Sequence, residues 1–178
     1  VLSMLMLEAA ANICIECLKL ENTVFREIDR LPILAKFDYY LRCSFRNRKL
    51  ERGCGEVQAA RELKALRDAV VHLKPHKVKW EFQGGDGTTE PELTSFLRIP
   101  KNPDFWHNTH ALTTVRAVHS FLQFFFCTKC KYTATKTTSI LFAEAEIPGE
   151  QIVFPMVTAQ TKLRLRELEV PLRYLRFV

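Results

Sequence analysis

The chain has 178 residues, of which 47% are hydrophobic and 26% charged, as in an ordinary globular protein with enough length for one buried core. Its net charge of +6 favours a polyanionic partner such as RNA over an acidic protein or a neutral metabolite. No apolar stretch reaches the roughly eighteen residues of a transmembrane helix, so we expect no membrane association. Six cysteines without the basic region of a signal peptide favour a reducing cytoplasm.

Apolar positions at helical spacing, separated by helix breakers, divide most of the chain into helices. Glu21-Asn22 interrupts the first helix, and Pro32 suits the first turn of the second. The turn Gly53-Cys54-Gly55 precedes the third helix, and Asn102-Pro103-Asp104 begins the fourth. We predict four helices, over residues 2–29, 32–50, 55–73 and 103–128.

A long connection, residues 74–102, separates the third predicted helix from the fourth. Residues 78–82 alternate in polarity and residues 84–87 are rich in glycine, which predicts a β-hairpin. Because this connection leaves from the end of the third helix, we expect it to cap a cleft there. Trp80 or Phe82 would then stack on a base, although packing against the bundle is the more common arrangement for such rings.

The last fifty residues differ in character from the rest. Residues 137–147 and 151–157 have the composition of short strands. Residues 162–170 alternate with a period of two, although their composition also suits a helix. We therefore predict a mainly α protein, with a four-helix bundle over residues 1–128 and a C-terminal extension over residues 129–178. The extension is expected to be a small β appendage packed on the bundle.

The segment Arg67-Asp68-Ala69-Val70-Val71-His72 lies late in the third predicted helix. A helix advances about 100° per residue, which places His72 almost opposite the apolar stripe of that helix. His72 is therefore predicted to face solvent or a partner rather than the core. Histidine transfers protons near neutral pH, and arginine binds phosphate through a planar fork. An ordinary surface helix shows the same polar face, so geometry alone leaves both interpretations open.

This pattern of Arg, Asp, three further residues and His resembles the R-x4-6-H motif of the HEPN family. The segments LEAAANICIECLKL and LPILAKFDYYL resemble the first two helices of an uncharacterised bacterial branch, and ELKALRDAVVHLKP resembles the motif region. The resemblance covers residues 1–128 and implies a compact helical bundle that commonly dimerises. Many members are metal-independent endoribonucleases of toxin–antitoxin and other bacterial defence systems, and others bind nucleotides without cutting RNA.

The resemblance assigns catalysis to Arg67 and His72 and orientation of the site to Asp68, without a metal or another cofactor. Basic residues near the motif are candidates for contacts with the RNA backbone, although a solvated charged surface explains them equally well. These RNA-binding candidates are Lys64, Lys74, His76, Lys77 and Lys79.

Helix geometry adds an expectation about assembly. Arg67 and His72 lie about 140° apart around the helix axis and about 7.5 Å apart along it, so one helix cannot easily direct both at one phosphate. Two such helices across a two-fold axis would present two arginines and two histidines to a shared cleft. We therefore expect a homodimer with a composite active site.

Three functions remain open from the sequence. The first is an endoribonuclease held in check by an antitoxin protein, and the second is a non-catalytic module or scaffold that binds RNA or a nucleotide. The third is a small zinc protein built from Cys14-x2-Cys17 and Cys127-x2-Cys130, with His107-x2-His110 as further ligands. The cysteine pairs are far apart in the chain and lie on predicted helices, which favours free thiols.

Overall fold

A computed structural model describes residues 2–72, 91–142 and 157–177 and the backbone of two short strands. The described part is mainly helical, which confirms the predicted α class, and none of its helices is long and apolar enough to cross a membrane. The helices are α1 (Leu2–Glu16), α2 (Asn22–Asp29), α3 (Ile33–Ser44), α4 (Gly55–Val71), α5 (Asn108–Gln123), α6 (Ala134–Leu141) and α7 (Ala159–Glu167). A 3-10 turn (Pro103–Phe105) precedes α5, and a π-helical turn (Phe124–Lys129) follows it.

The predicted break in the first helix is confirmed between α1 and α2. Lys19 adopts a left-handed backbone conformation with φ of 49°. A right-handed helix cannot continue through a left-handed residue, and such a residue commonly follows a helix end. The buried Lys36 of α3 then holds α2 against the bundle. Its Nζ donates to Asp29 at the end of α2 and to Asn12 of α1, both at 2.7 Å.

Four helices, α1, α3, α4 and α5, form the bundle. Helix α1 packs against α3 and α5, and α4 packs against α5. Their shared core is aromatic: the ring of Phe37 lies edge-on to those of Phe121 and Phe125, with centroids 5.0 and 4.5 Å apart. All three rings are fully buried, and each such ring removes about 150–250 Å² of surface from water.

Helix α4 presents to the core the face that its apolar periodicity predicts. Its buried positions include Ala59, Leu63 and Leu66, and the intervening polar residues face outward. The helix ends at Val71, slightly before the predicted end, and the backbone N–H of His72 donates to the Asp68 carbonyl at 3.1 Å. The motif therefore occupies the last turns of a bundle helix.

The predicted β appendage is wrong wherever the structure describes it. Residues 134–141 form α6 and residues 159–167 form α7, so residues 137–141 and 162–167, where strands were expected, are helical. Residues 143–147 lie outside the described residues. Thr133 and Thr158 cap these helices, since each hydroxyl accepts a backbone N–H at 3.2 Å. In α6 the cap favours a helix despite β-branched residues, and in α7 the helix agrees with the composition rather than with the alternation. The third expected strand, 151–157, lies outside the described residues except for its last position.

Two antiparallel strands, β1 (Glu81–Gln83) and β2 (Asp86–Thr88), lie where a hairpin was predicted, although β2 begins inside the glycine-rich segment expected to form the turn. The later part of the same connection folds back on α4. The carboxylate of Glu62 accepts the backbone N–H groups of Phe96 and Leu97, both at 2.8 Å. This contact brings Ile99 next to the motif helix, where it is fully buried.

Candidate functional site

Asp68 lies between two cationic side chains on α4. Its carboxylate accepts a hydrogen bond from Lys64 Nζ at 2.7 Å and lies 3.1 Å from Arg67 Nε. The hydrogen bond from Lys64 lowers the pKa of Asp68; desolvation opposes this shift, and the neighbouring positive charges add to it. Asp68 is therefore a carboxylate that is suited to orient Arg67, the role that the HEPN resemblance implies.

Arg67 is half-buried, and one of its donors is unused. The side chain is 29% exposed, while the Nε atom is buried and has no hydrogen-bond acceptor among the described residues. The Asp68 carboxylate is close enough to Arg67 Nε for an ion pair, but the angle at the Nε hydrogen does not meet the geometry of a hydrogen bond. A buried donor without a hydrogen-bond acceptor is costly.

His72 is exposed at the C-terminal cap of α4, as its position opposite the apolar stripe predicts. Arg67 lines a pocket on one side of the helix, and His72 is not among the residues of that lining. Within the described chain the two motif residues therefore do not share one cavity.

The pocket that contains Arg67 has a volume of about 320 Å³ and lies where the start of α1, the second half of α4 and the start of α5 meet. Such a volume is at the small end of the range for ligand sites, about 300–1,000 Å³. Its polar lining consists of Ser3, Arg67, His107, Asn108, His110 and Thr114. Its apolar lining includes Met4, Leu63, Leu66, Ile99 and Trp106.

The two histidines of this pocket are held by the first turn of α5. The backbone N–H of His107, the N-cap residue, donates to Nδ1 of His110 at 3.0 Å, and the two rings stack with centroids 5.5 Å apart. Because Nδ1 accepts this bond, the neutral His110 ring carries its proton on Nε2. His110 is thereby a fixed donor rather than a freely rotating surface ring.

Sequence reasoning did not place His107 and His110 at this site, because it treated them only as metal ligands. A signal was nevertheless present. The breaker Asn102-Pro103 predicts that a helix begins shortly afterwards, and the i, i+3 spacing puts both histidines in or next to its first turn. The pairing of that turn with Arg67 depends on the packing of α4 against α5.

Of the predicted RNA contacts, the structure describes only Lys64, which is exposed on α4 and paired with Asp68. The other four candidates, Lys74, His76, Lys77 and Lys79, lie outside the described residues, as do the side chains of Trp80 and Phe82. Their roles stay predictions.

The two C-x2-C pairs come close enough to interact electrostatically. Burial raises the pKa of Cys14, and the neighbouring Cys130 and Cys17 thiols raise it further. Burial also raises the pKa of Cys130 to about 12. The described ranges contain six free cysteines and no group of three or more side chains placed to hold a metal ion.

Comparisons with protein-family models, curated proteins and solved structures find no match to this chain. The functional argument therefore depends on the residues themselves and on the geometry around Arg67.

Proposed function

We propose that this protein is a metal-independent endoribonuclease of the HEPN type. The observation that carries the proposal is the position of Arg67: a half-buried guanidinium, held by an ion pair with Asp68, on the wall of a pocket. A phosphate matches the planar fork of a guanidinium. The net charge of +6 adds a general attraction for RNA.

The proposed active site is composite and forms in a homodimer. Arg67 and His72 diverge by about 140° around α4, so a second copy must supply the complementary group to each. Exposed apolar side chains on α1 and at the end of α4 support such a contact: Leu2, Leu5 and Val71 are 81%, 53% and 53% exposed. Burial of these side chains against a second copy would remove them from water and bring two motif helices together.

In the proposed reaction one His72 imidazole removes the proton from a ribose 2′-hydroxyl. The 2′-oxygen then bonds to the adjacent phosphorus, and the bond from phosphorus to the 5′-oxygen breaks. That leaving oxygen takes a proton from the second imidazole or from water. Arg67 stabilises the charge that gathers on the phosphoryl oxygens, and Asp68 orients Arg67. The products carry a 2′,3′-cyclic phosphate and a 5′-hydroxyl.

The proposal extends to biological setting. The protein would act in the cytoplasm of a bacterium as the toxin of a toxin–antitoxin pair or as part of another defence system. An antitoxin protein would hold the nuclease in check. The defence role and the antitoxin follow from the HEPN resemblance alone, and the cytoplasmic location follows from the cysteine content.

A second candidate function is a non-catalytic module that binds RNA or a nucleotide. The observation that favours it is the absence of His72 from the pocket that contains Arg67. In this case Arg67 holds a phosphate and no proton transfer follows.

Cleavage of a labelled RNA in the presence of EDTA separates the two candidates. We expect the wild-type protein to cut, and Arg67→Ala and His72→Ala each to lose about a hundredfold or more in rate. Arg61→Ala is the matched control, since Arg61 is an exposed arginine of the same helix that does not line the pocket.

A substrate with 2′-deoxyribose at the cleaved position should resist the enzyme, because it lacks the nucleophile. Cutting of that substrate would overturn the mechanism. Absence of cutting by a folded, dimeric wild-type protein would overturn the nuclease proposal in favour of the binding module.

A further inference from the structure

The lining of the pocket around Arg67 has a polar part and an apolar part. The polar part includes Arg67 of α4 and His107, Asn108 and His110 at the start of α5. Among the described residues the lining contains no carboxylate, and Arg67 gives it a positive charge, which favours an anion.

Two side chains of the lining are held in place by their neighbours. The ion pair with Asp68 positions the Arg67 guanidinium, and the ring of His110 is fixed through Nδ1, which leaves Nε2 as its donor. Arg67 of α4 and His110 of α5 thus line one small cavity from separate helices.

The apolar part of the lining can receive a flat, weakly polar group. It includes Met4, Leu66, Ile99 and Trp106. The indole N–H of Trp106 donates to the Pro100 carbonyl at 2.6 Å, which fixes the ring and leaves only its carbon surface for a ligand. Base stacking on such a ring is favourable by about 1–3 kcal/mol, whichever base is bound.

We propose that this pocket binds a single nucleotide, with its phosphate between Arg67 and His110 and its base against the wall that includes Trp106. The inference deepens the proposed function and rests on it in one respect: the bound nucleotide is the one that carries the scissile phosphate. It adds His110 to the residues that contact RNA and makes the pocket a subsite within each copy, beside the composite site of the dimer.

Binding of mononucleotides, measured by titration calorimetry on the full chain, tests the inference without any cleavage. Adenosine and uridine 3′-monophosphates are the probes, with adenosine and inorganic phosphate as the two partial ligands. We expect both monophosphates to bind with Kd of about 1 mM or tighter, and each partial ligand to bind at least about tenfold more weakly.

Two variants locate the ligand. His110→Gln removes the imidazole but keeps a side-chain acceptor at the third position of α5, as in an ordinary capping box, so the helix start is preserved. We expect it to weaken binding about tenfold and Arg67→Ala about a hundredfold. Thr113→Ala on α5 and Arg61→Ala on α4 lie outside the pocket and should bind as the wild type does.

The outcomes keep the two proposals apart. If folded wild-type protein binds neither monophosphate, or if His110→Gln binds them normally, the nucleotide subsite is overturned whether or not RNA is cut. If adenosine or inorganic phosphate alone binds as tightly as the nucleotide, the placement of the phosphate between Arg67 and His110 and of the base against Trp106 is overturned. If mononucleotides bind as expected while RNA remains intact, the subsite is supported and the nuclease proposal fails.

Discussion

Arg67 Nε lies 3.1 Å from a carboxylate oxygen of Asp68, the next residue along the same helix. The other oxygen of this carboxylate accepts a hydrogen bond from Lys64. One anion is thus shared by two cations, and the guanidinium is positioned while its buried Nε remains without a hydrogen bond. This relationship makes Asp68 a positioning residue whose effect should appear in function more than in stability.

We expect Asp68→Asn to lower the rate of RNA cleavage about tenfold, because Arg67 loses the charge that orients it. The free energy of unfolding should change by at most about 1 kcal/mol, since surface ion pairs contribute little. Cleavage kinetics and urea unfolding measure the two effects. Glu27→Gln, at an exposed carboxylate of α2, is the control for loss of one negative charge. An unchanged cleavage rate in Asp68→Asn would remove the positioning role.

The composite site predicts complementation between inactive variants. Arg67→Ala and His72→Ala should each be nearly inactive alone, whereas a mixture should regain measurable cleavage after subunit exchange. About half of the dimers in an equal mixture are mixed, and each of these carries one intact Arg67 and one intact His72. The assay is RNA cleavage before and after dilution and re-equilibration. Failure to regain activity, with mixed dimers demonstrated by tagged copies, would exclude a shared site.

The imidazole of His119 predicts a loss of stability in mild acid. Burial lowers the pKa of His119, whose Nδ1 lies 2.8 Å from the Tyr174 hydroxyl oxygen. Below about pH 6.5 the unfolded chain binds a proton there that the folded chain does not, so stability falls as the pH falls through this window. The folded protein keeps the full contribution only above that window.

Thermal unfolding between about pH 5 and 7 measures this effect. His119→Gln should flatten the pH dependence, because the titrating group is gone. Tyr174→Phe should keep the slope, because burial rather than the hydroxyl causes the pKa shift. Equal slopes in the wild type and His119→Gln would contradict the assignment.

Two neighbouring threonines of α6 provide a matched pair for stability. Thr137 is fully buried and its hydroxyl has no hydrogen-bond partner among the described residues. The hydroxyl of Thr138 donates to the Ala134 carbonyl and accepts the Arg176 N–H, both at 2.8 Å. Thr137→Val should therefore raise the free energy of unfolding by about 1 kcal/mol, whereas Thr138→Val should lower it by about 1–3 kcal/mol. Urea unfolding of the two variants gives both signs, and a loss in Thr137→Val would indicate a partner for its hydroxyl.

Local sequence patterns predicted some elements well and others poorly. The buried face of α4 and the break before Asn22 follow from nearby residues, because apolar periodicity and helix breakers act within a few turns. The strands expected at residues 137–141 and 162–167 were wrong: a threonine caps each helix, and the composition of residues 162–170 already suited a helix. Composition and alternation within a short segment can favour different structures, and neither decides between them.

The candidate site divides in the same way. Arg67, Asp68 and His72 were identified from their spacing on one helix, and their outward or inward directions follow from its period. The positions of His107 and His110 beside Arg67 were not identified, because no local pattern in their own helix indicates that it packs against Arg67. Only the packing of α4 against α5 puts these side chains around one cavity.

By itself the sequence determined the mainly helical class, the position of the motif on α4 and the excess of positive charge, since each depends on composition or on neighbours along the chain. The tertiary structure decided which residues surround Arg67 and left His72 outside that pocket. The physical reason is that a pocket is formed by contacts between helices distant in the chain. Such contacts depend on how entire faces pack together, which no short motif specifies.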